Sequence, residues 1–267
     1  MTWIDKRRVR VPGGELAVVD AGDPEAPPVV LLSGGLTSSY VWRQLVPLLS
    51  PWMRVVAPDM LGTGESESPA GADLGLAAHA TNVRALLGEL GVERFALVGH
   101  GRGGGVAQLV AIEGDVAALA LIDSVAFDAW PSKTILDMRE RLGDADDSFV
   151  RSWFETLFER GMGHRERLSD ADLEEFRRPF EGPEGLERFV RVASDLDGHR
   201  NVATDGLDAL LTPVGDPAGL AKAIRRVLED AGLRTDLVAG GHRRADQLSM
   251  AHLAERYAAI YEDAARQ

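Results

Sequence analysis

The chain has 267 residues, no cysteine, 45% apolar side chains and a formal net charge of −13. This excludes disulfides, thiolate metal sites and cysteine nucleophiles, and it disfavours nucleic acid and anionic membrane as partners. No stretch approaches the roughly 18 consecutive apolar residues of a spanning helix, and no apolar secretory segment follows the basic N-terminal residues, so the expectation is a soluble cytoplasmic chain with one large domain and room for an insert.

In chain order, residues 7–23 read as a hairpin about Gly13-Gly14. Val29 to Ser33, VVLLS, is a short continuous apolar run, as suits a strand buried on both faces. Met53 to Pro58 is a second such run. From Leu74 to Leu90, apolar residues at 76, 80, 83, 87 and 90 follow helical spacing, with Asp73 placed to cap the helix. RFALVG (94–99) is a third run and GGVAQLVAI (104–112) is helical. VAALALID, Val116 to Asp123, is a fourth run. Strands alternating with helices imply a mostly parallel sheet covered on both faces, an α/β class.

Between about residues 126 and 200 the alternation stops. Arg, Glu and Asp dominate, interleaved with Trp153, Phe154, Phe158, Phe176, Phe180 and Phe189, so this stretch reads as a helical insert. The core comprises 1–125 and 201–267. After the insert we expect a helix from Ala218 to Ala231, a strand from Leu233 to Ala239 and a last helix from about Ala245 to Ala265.

The six histidines show no HExxH spacing, so no metal is expected. The informative stretch is Gly99-His100-Gly101-Arg102-Gly103, at a strand-to-helix turn. Glycines at 99 and 103 permit the tight turn and close strand-helix packing of a G-x-S-x-G elbow. Together with SGGLTSSYVWR after the first buried strand, APDMLGTGES after the second, and LVAGGH near the end, it resembles the α/β-hydrolase fold family over nearly the whole chain. TSSYVWR in particular resembles the haloalkane dehalogenase and epoxide hydrolase-like branch.

The resemblance implies roles residue by residue. The oxyanion hole would use the backbone N–H groups of Arg102 and of Gly35, in the Gly34-Gly35 pair. Ser33 stands where the family carries His, and Leu36 where Pro is common. His242 matches the general base. Its acid partner is Asp123 or, at the commoner site, Asp216; Pro213 is unusual for a central strand, which favours Asp123. Gly101 occupies the nucleophile position without a side chain, closing both the serine-ester and the aspartate-ester routes. Arg102 stands where dehalogenases carry a halide-binding Trp. Its cation would meet a substrate carboxylate or phenolate, or else an acid of the protein itself.

Several readings follow. The nucleophile was removed by engineering; or the chain is a non-catalytic small-molecule binder with glycine relieving elbow strain; or it is an enzyme without a covalent intermediate. In the last case an imidazole and main-chain donors suffice for cofactor-free lyase, isomerase or cyclase chemistry on a small carbonyl- or phenol-bearing metabolite. Direct attack by water is the hydrolytic variant. Ser33, Leu36, Arg102, Trp130, Trp153 and Phe154 are the candidate substrate contacts, the aromatics favouring an apolar or aromatic partner molecule. His100 and His79 read as packing histidines, Asp59 as structural, and His164, His199 and His252 as solvated.

Overall fold

The computed structural model describes residues 3–124, 133–161, 168–196 and 217–247. Six strands form one sheet: β1 (Arg7–Val11), β2 (Gly14–Ala21), β3 (Pro28–Leu32), β4 (Arg54–Pro58), β5 (Arg94–His100) and β6 (Asp115–Ile122), in the order β1-β2-β4-β3-β5-β6. β1 and β2 form an antiparallel hairpin, and β2 pairs antiparallel with β4. From β4 to β6 every pairing is parallel, with Val30 opposite Leu97 and Leu32 opposite Gly99.

The apolar runs explain the layering. Side chains alternate between faces along a strand, and here both faces are apolar. Val30, Leu32 and Leu97 pack with Leu86 and Val106 of α2 (Leu76–Glu89) and α3 (Arg102–Glu113). Val29, Leu31 and Val98 pack with Trp42, with Leu49 of α1 (Val46–Leu49) and with Ile224 of α8 (Pro217–Glu229). Burying one such side chain stabilises by about 1.5–3 kcal/mol, so the central strands are fixed from both sides.

Between β6 and α8 the described residues contain helices and no strand: α4 (Lys133–Glu140), α5 (Asp147–Gly161), α6 (Asp170–Arg177) and α7 (Gly182–Ser194). Their aromatics form the core of the insert. Phe154 lies 5.7 Å from Phe180 and 6.2 Å from Phe158, ring centroid to ring centroid. The TSSYVWR segment fastens α6 to the sheet. The Tyr40 hydroxyl donates to Asp172 at 2.8 Å, and Arg43 pairs with the same carboxylate at 2.9 Å.

Two expectations are corrected. Residues 233–239 form no strand; they lie within α9 (Ala231–Gln247). Asp230 accepts the Leu233 N–H at 2.9 Å in the manner of an N-cap, and the Thr235 hydroxyl donates to the Ala231 carbonyl one turn back. Leu237 is buried toward α8 while Val238 is exposed. Asp73 also does not cap α2 directly. Gly75 is the N-cap, and the Asp73 carboxylate accepts the Gly75 N–H at 2.8 Å. Most of the expected helix from 245 to 265 lies outside the described residues.

Candidate functional site

The C-terminal ends of β3, β5 and β6 meet at the turn between β5 and α3. Gly101 sits there at φ 54°, ψ −120°, a conformation that favours glycine, as N-cap of α3. Its N–H donates to the Ile122 carbonyl at 3.0 Å and its carbonyl accepts the Gly104 N–H at 3.0 Å. Close approach explains the flanking glycines. A Cβ on Gly103 would lie 2.5 Å from the Leu32 carbonyl and closer still to that of Ser33, and one on Gly99 would lie 2.6 Å from the Gly103 carbonyl. At Gly101 itself there is room: the nearest atoms to a Cβ would be Gly34 Cα at 3.4 Å and the Asp123 carbonyl oxygen at 4.0 Å.

The Ser33–Leu36 loop lies against this turn. Leu36, fully buried, adopts φ 62°, which the ring of the proline common in the family forbids. Asp123, with φ 41°, is the other non-glycine residue with positive φ among the described residues, so local backbone strain is concentrated around the elbow. Gly35 adjoins Arg102; a Cβ there would lie 3.3 Å from Arg102 Cδ. The structure thus brings together Ser33, Gly34, Gly35, Leu36, Gly101, Arg102 and Asp123.

Beneath the elbow, Ser33 is buried with its Oγ unpartnered, and so is His100 Nδ1, which is aimed at Gly34. The His100 ring meets Trp42 edge to face. Burial pushes the His100 imidazole below its ordinary pKa, and the carboxylate of Asp123 partly opposes that shift. His79 is buried on α2 with its pKa pushed down to about 3, first by burial and then by the Arg102 cation. Both packing assignments therefore agree with the structure. Asp59 is a structural hub: fully buried, it pairs with Lys6 at 2.8 Å and accepts the N–H groups of Ser39 and Glu65.

Arg102 does not present its guanidinium to an open cleft. Buried at 5% exposure, its Nη2 donates to the carbonyls of Leu74 and of Asp195, the latter at 2.7 Å. Trp153 and Phe154 belong to the apolar core that the insert shares with the sheet, with the Trp153 Nε1 buried and unpartnered. Sequence reasoning missed Leu74, Asp195 and Leu196, which close over the elbow from distant segments; no motif marks them. His242 lies by its backbone within α9 rather than in a loop after a strand, and its side chain is outside the described residues. Asp216, Trp130, His164, His199 and His252 are also outside them. Among the described residues no group of His, Asp and Glu is arranged to hold a metal, and no helix is long and apolar enough to cross a membrane.

The sequence model of the alpha/beta hydrolase fold matches residues 27–178. Over 134 residues the chain is 32% identical to haloalkane dehalogenase 2 of Mycobacterium tuberculosis, covering 50% of this chain and 44% of that one. Over 107 residues it is 38% identical to a soluble epoxide hydrolase of a Corynebacterium species, covering 40% and 36%. In both cases the match spans less than half of the curated relative. Among solved structures, an alpha/beta hydrolase fold protein from Burkholderia ambifaria superposes with a TM-score of 0.64 at 27% identity, over 71% of this chain and 70% of the other. A putative ancestral haloalkane dehalogenase gives 0.56 at 28%, over 71% and 69%.

Proposed function

The chain belongs to the α/β-hydrolase fold family, and on that premise we propose that it is an enzyme acting on a small carbonyl- or phenol-bearing molecule, without cofactor and without a covalent intermediate at residue 101. The observation that carries this reading is the elbow itself. Gly101 keeps the sharp strand-to-helix turn, with φ 54° and ψ −120°, although it has no side chain to present. That turn starts α3 at Arg102, whose side-chain Cδ and Cβ would lie 3.3 and 3.7 Å from a Cβ on Gly35, which supports pairing the amides of these two residues. The leading amides of a helix have no intrahelical acceptor and carry the positive end of its dipole, so they suit a developing oxyanion.

In this reading the substrate carbonyl oxygen accepts hydrogen bonds from the Arg102 and Gly35 amides. His242 removes a proton from the substrate and returns it at another atom, giving lyase, isomerase or cyclase chemistry. Asp123 holds the imidazole; its position beside Gly101 at the end of β6 supports this role. In this reading the insert expected over residues 126–200 is the cap, and the apolar core to which Trp153 and Phe154 belong joins it to the sheet.

The hydrolases among the relatives favour a second reading. Loss of the side chain at 101 leaves space on the order of one water, about 30 Å³, and such a water, activated by His242, would attack the carbonyl directly.

A p-nitrophenyl acetate assay distinguishes the readings. Under the first, the chain itself gives no ester turnover and Gly101→Ser acquires it. Brisk turnover by the unaltered chain establishes the second. In either case His242→Ala is expected to lower the rate by about 10²–10⁴. Activity that survives His242→Ala and falls in His100→Gln moves the proton-transfer role to His100. Inertness of the chain and of all three variants toward esters and enolisable ketones leaves a binding protein and defeats the proposal.

A further inference from the structure

The end of α7 meets the elbow in a way that ordinary cap packing does not require. Asp195, its C-cap, uses both of its acceptors there: its backbone carbonyl takes the Arg102 guanidinium at 2.7 Å, and its carboxylate takes the Leu74 N–H at 3.1 Å. Leu74 returns its own carbonyl to the same Arg102 nitrogen, closing a three-cornered knot between the loop before α2, the start of α3 and the end of α7. The next residue, Leu196, is 1% exposed, and its Cδ2 would lie 2.9 Å from a Cβ on Gly35. One turn back, Val192 packs on Gly62 beside Leu74.

From these contacts we infer that the last turn of α7 is a gate over the site, with Leu196 as its plug and the Asp195–Arg102–Leu74 knot as its latch. The residue that donates the proposed anion-hole amide is thereby bolted, through its own side chain, to the element that covers the hole. A ligand carbonyl reaches the Gly35 and Arg102 amides only when Leu196 withdraws. In the seated position Leu196 limits the group on the carbonyl carbon to a short one. The size limit rests on the function proposed above; the gate stands on the contacts alone.

The test combines two measurements on the full chain. Hydrogen–deuterium exchange is followed in peptides spanning 33–37 and 101–104, with the β5 amides at 96–98 reporting global opening. Leu196→Ala and Asp195→Ala are each expected to speed exchange in the first two segments on the order of tenfold, with β5 unchanged. Leu196→Ala should also raise turnover of p-nitrophenyl hexanoate relative to the acetate about fivefold, read in the Gly101→Ser background if the parent chain is inert. Unchanged exchange at 33–37 in the variants overturns the gate; should Leu196→Ala fail to fold, Asp195→Ala decides alone. Faster exchange with an unchanged ester profile overturns the size limit. Absence of ester turnover in every background counts against the proposed function, and exchange then judges the gate.

Discussion

The middle of the sheet and its β6 edge are held together differently. Strands β3 and β5 are covered on both faces, and most of their residues are inaccessible to solvent. β6 is half-exposed along nearly its whole length, and among the described side chains of α8 and α9 only Ile224 and Leu237 are buried apolar groups. In the middle each residue answers to several neighbours at once, so strain is tolerated there: Leu36, just beyond the end of β3, keeps a φ of 62°. At the edge each residue answers to few, and local helix signals prevail. The candidate site lies at the ends of the tightly held strands, where fixed amides cost little reorganisation.

The sharpest way to break this contrast is Gly103→Ala. The added methyl has no route away from the Leu32 and Ser33 carbonyls. We expect a loss of about 3 kcal/mol or more, as for other severe overpacking, read as a lower urea midpoint. Gly101→Ala meets nothing closer than 3.4 Å and should cost only its positive φ, on the order of 1 kcal/mol. Equal losses at the two positions would show that the elbow is not packed as described.

The next effect is on pH. His79 has a folded pKa of about 3, below its ordinary 6.5, so the unfolded chain takes up the proton first. Stability should therefore fall as pH drops from 6.5 toward 3, by on the order of 1 kcal/mol per pH unit. His100, shifted the same way by burial, adds to this slope. Asp20, lowered chiefly by its hydrogen bonds from Arg54, contributes stability above its ordinary 3.8 that is lost as pH falls below it. The window from 4 to 6.5 thus reports on the buried histidines. His79→Leu should flatten it in urea titrations, and an unchanged slope would mean that His79 is solvated.

The smallest effect tests the edge. In a helix, Thr235→Ala should be neutral or stabilising by a few tenths of a kcal/mol. In a strand the loss of a β-branched residue has the opposite sign. Thermal midpoints of the two proteins decide between them.

Much of this was legible in the sequence. The apolar runs at 29–33, 53–58, 94–99 and 116–123 each became a strand; the first three bury both faces inside the sheet, as such short runs can. The elbow was legible because its glycines answer to close backbone approach. LRTDLVA was misread: its leucines at 233 and 237 are four apart, and Asp230 lies where an N-cap belongs, so a helical signal was present beneath an apparent strand. Arg102 was expected to meet either a substrate anion or an acid of the protein; among its contacts are the Leu74 and Asp195 main-chain carbonyls, which no local pattern announces.

By itself the sequence determined the mostly parallel sheet, the turn at Gly101 and the absence of a side chain at that residue, since periodicity, glycine spacing and residue chemistry are local properties. Only the tertiary structure decided that residues 233–239 are helical and that Leu74, Asp195 and Leu196 close over the elbow. Those outcomes depend on which partners lie alongside, and contacts between segments about 30 to 120 residues apart leave no periodic trace in the chain.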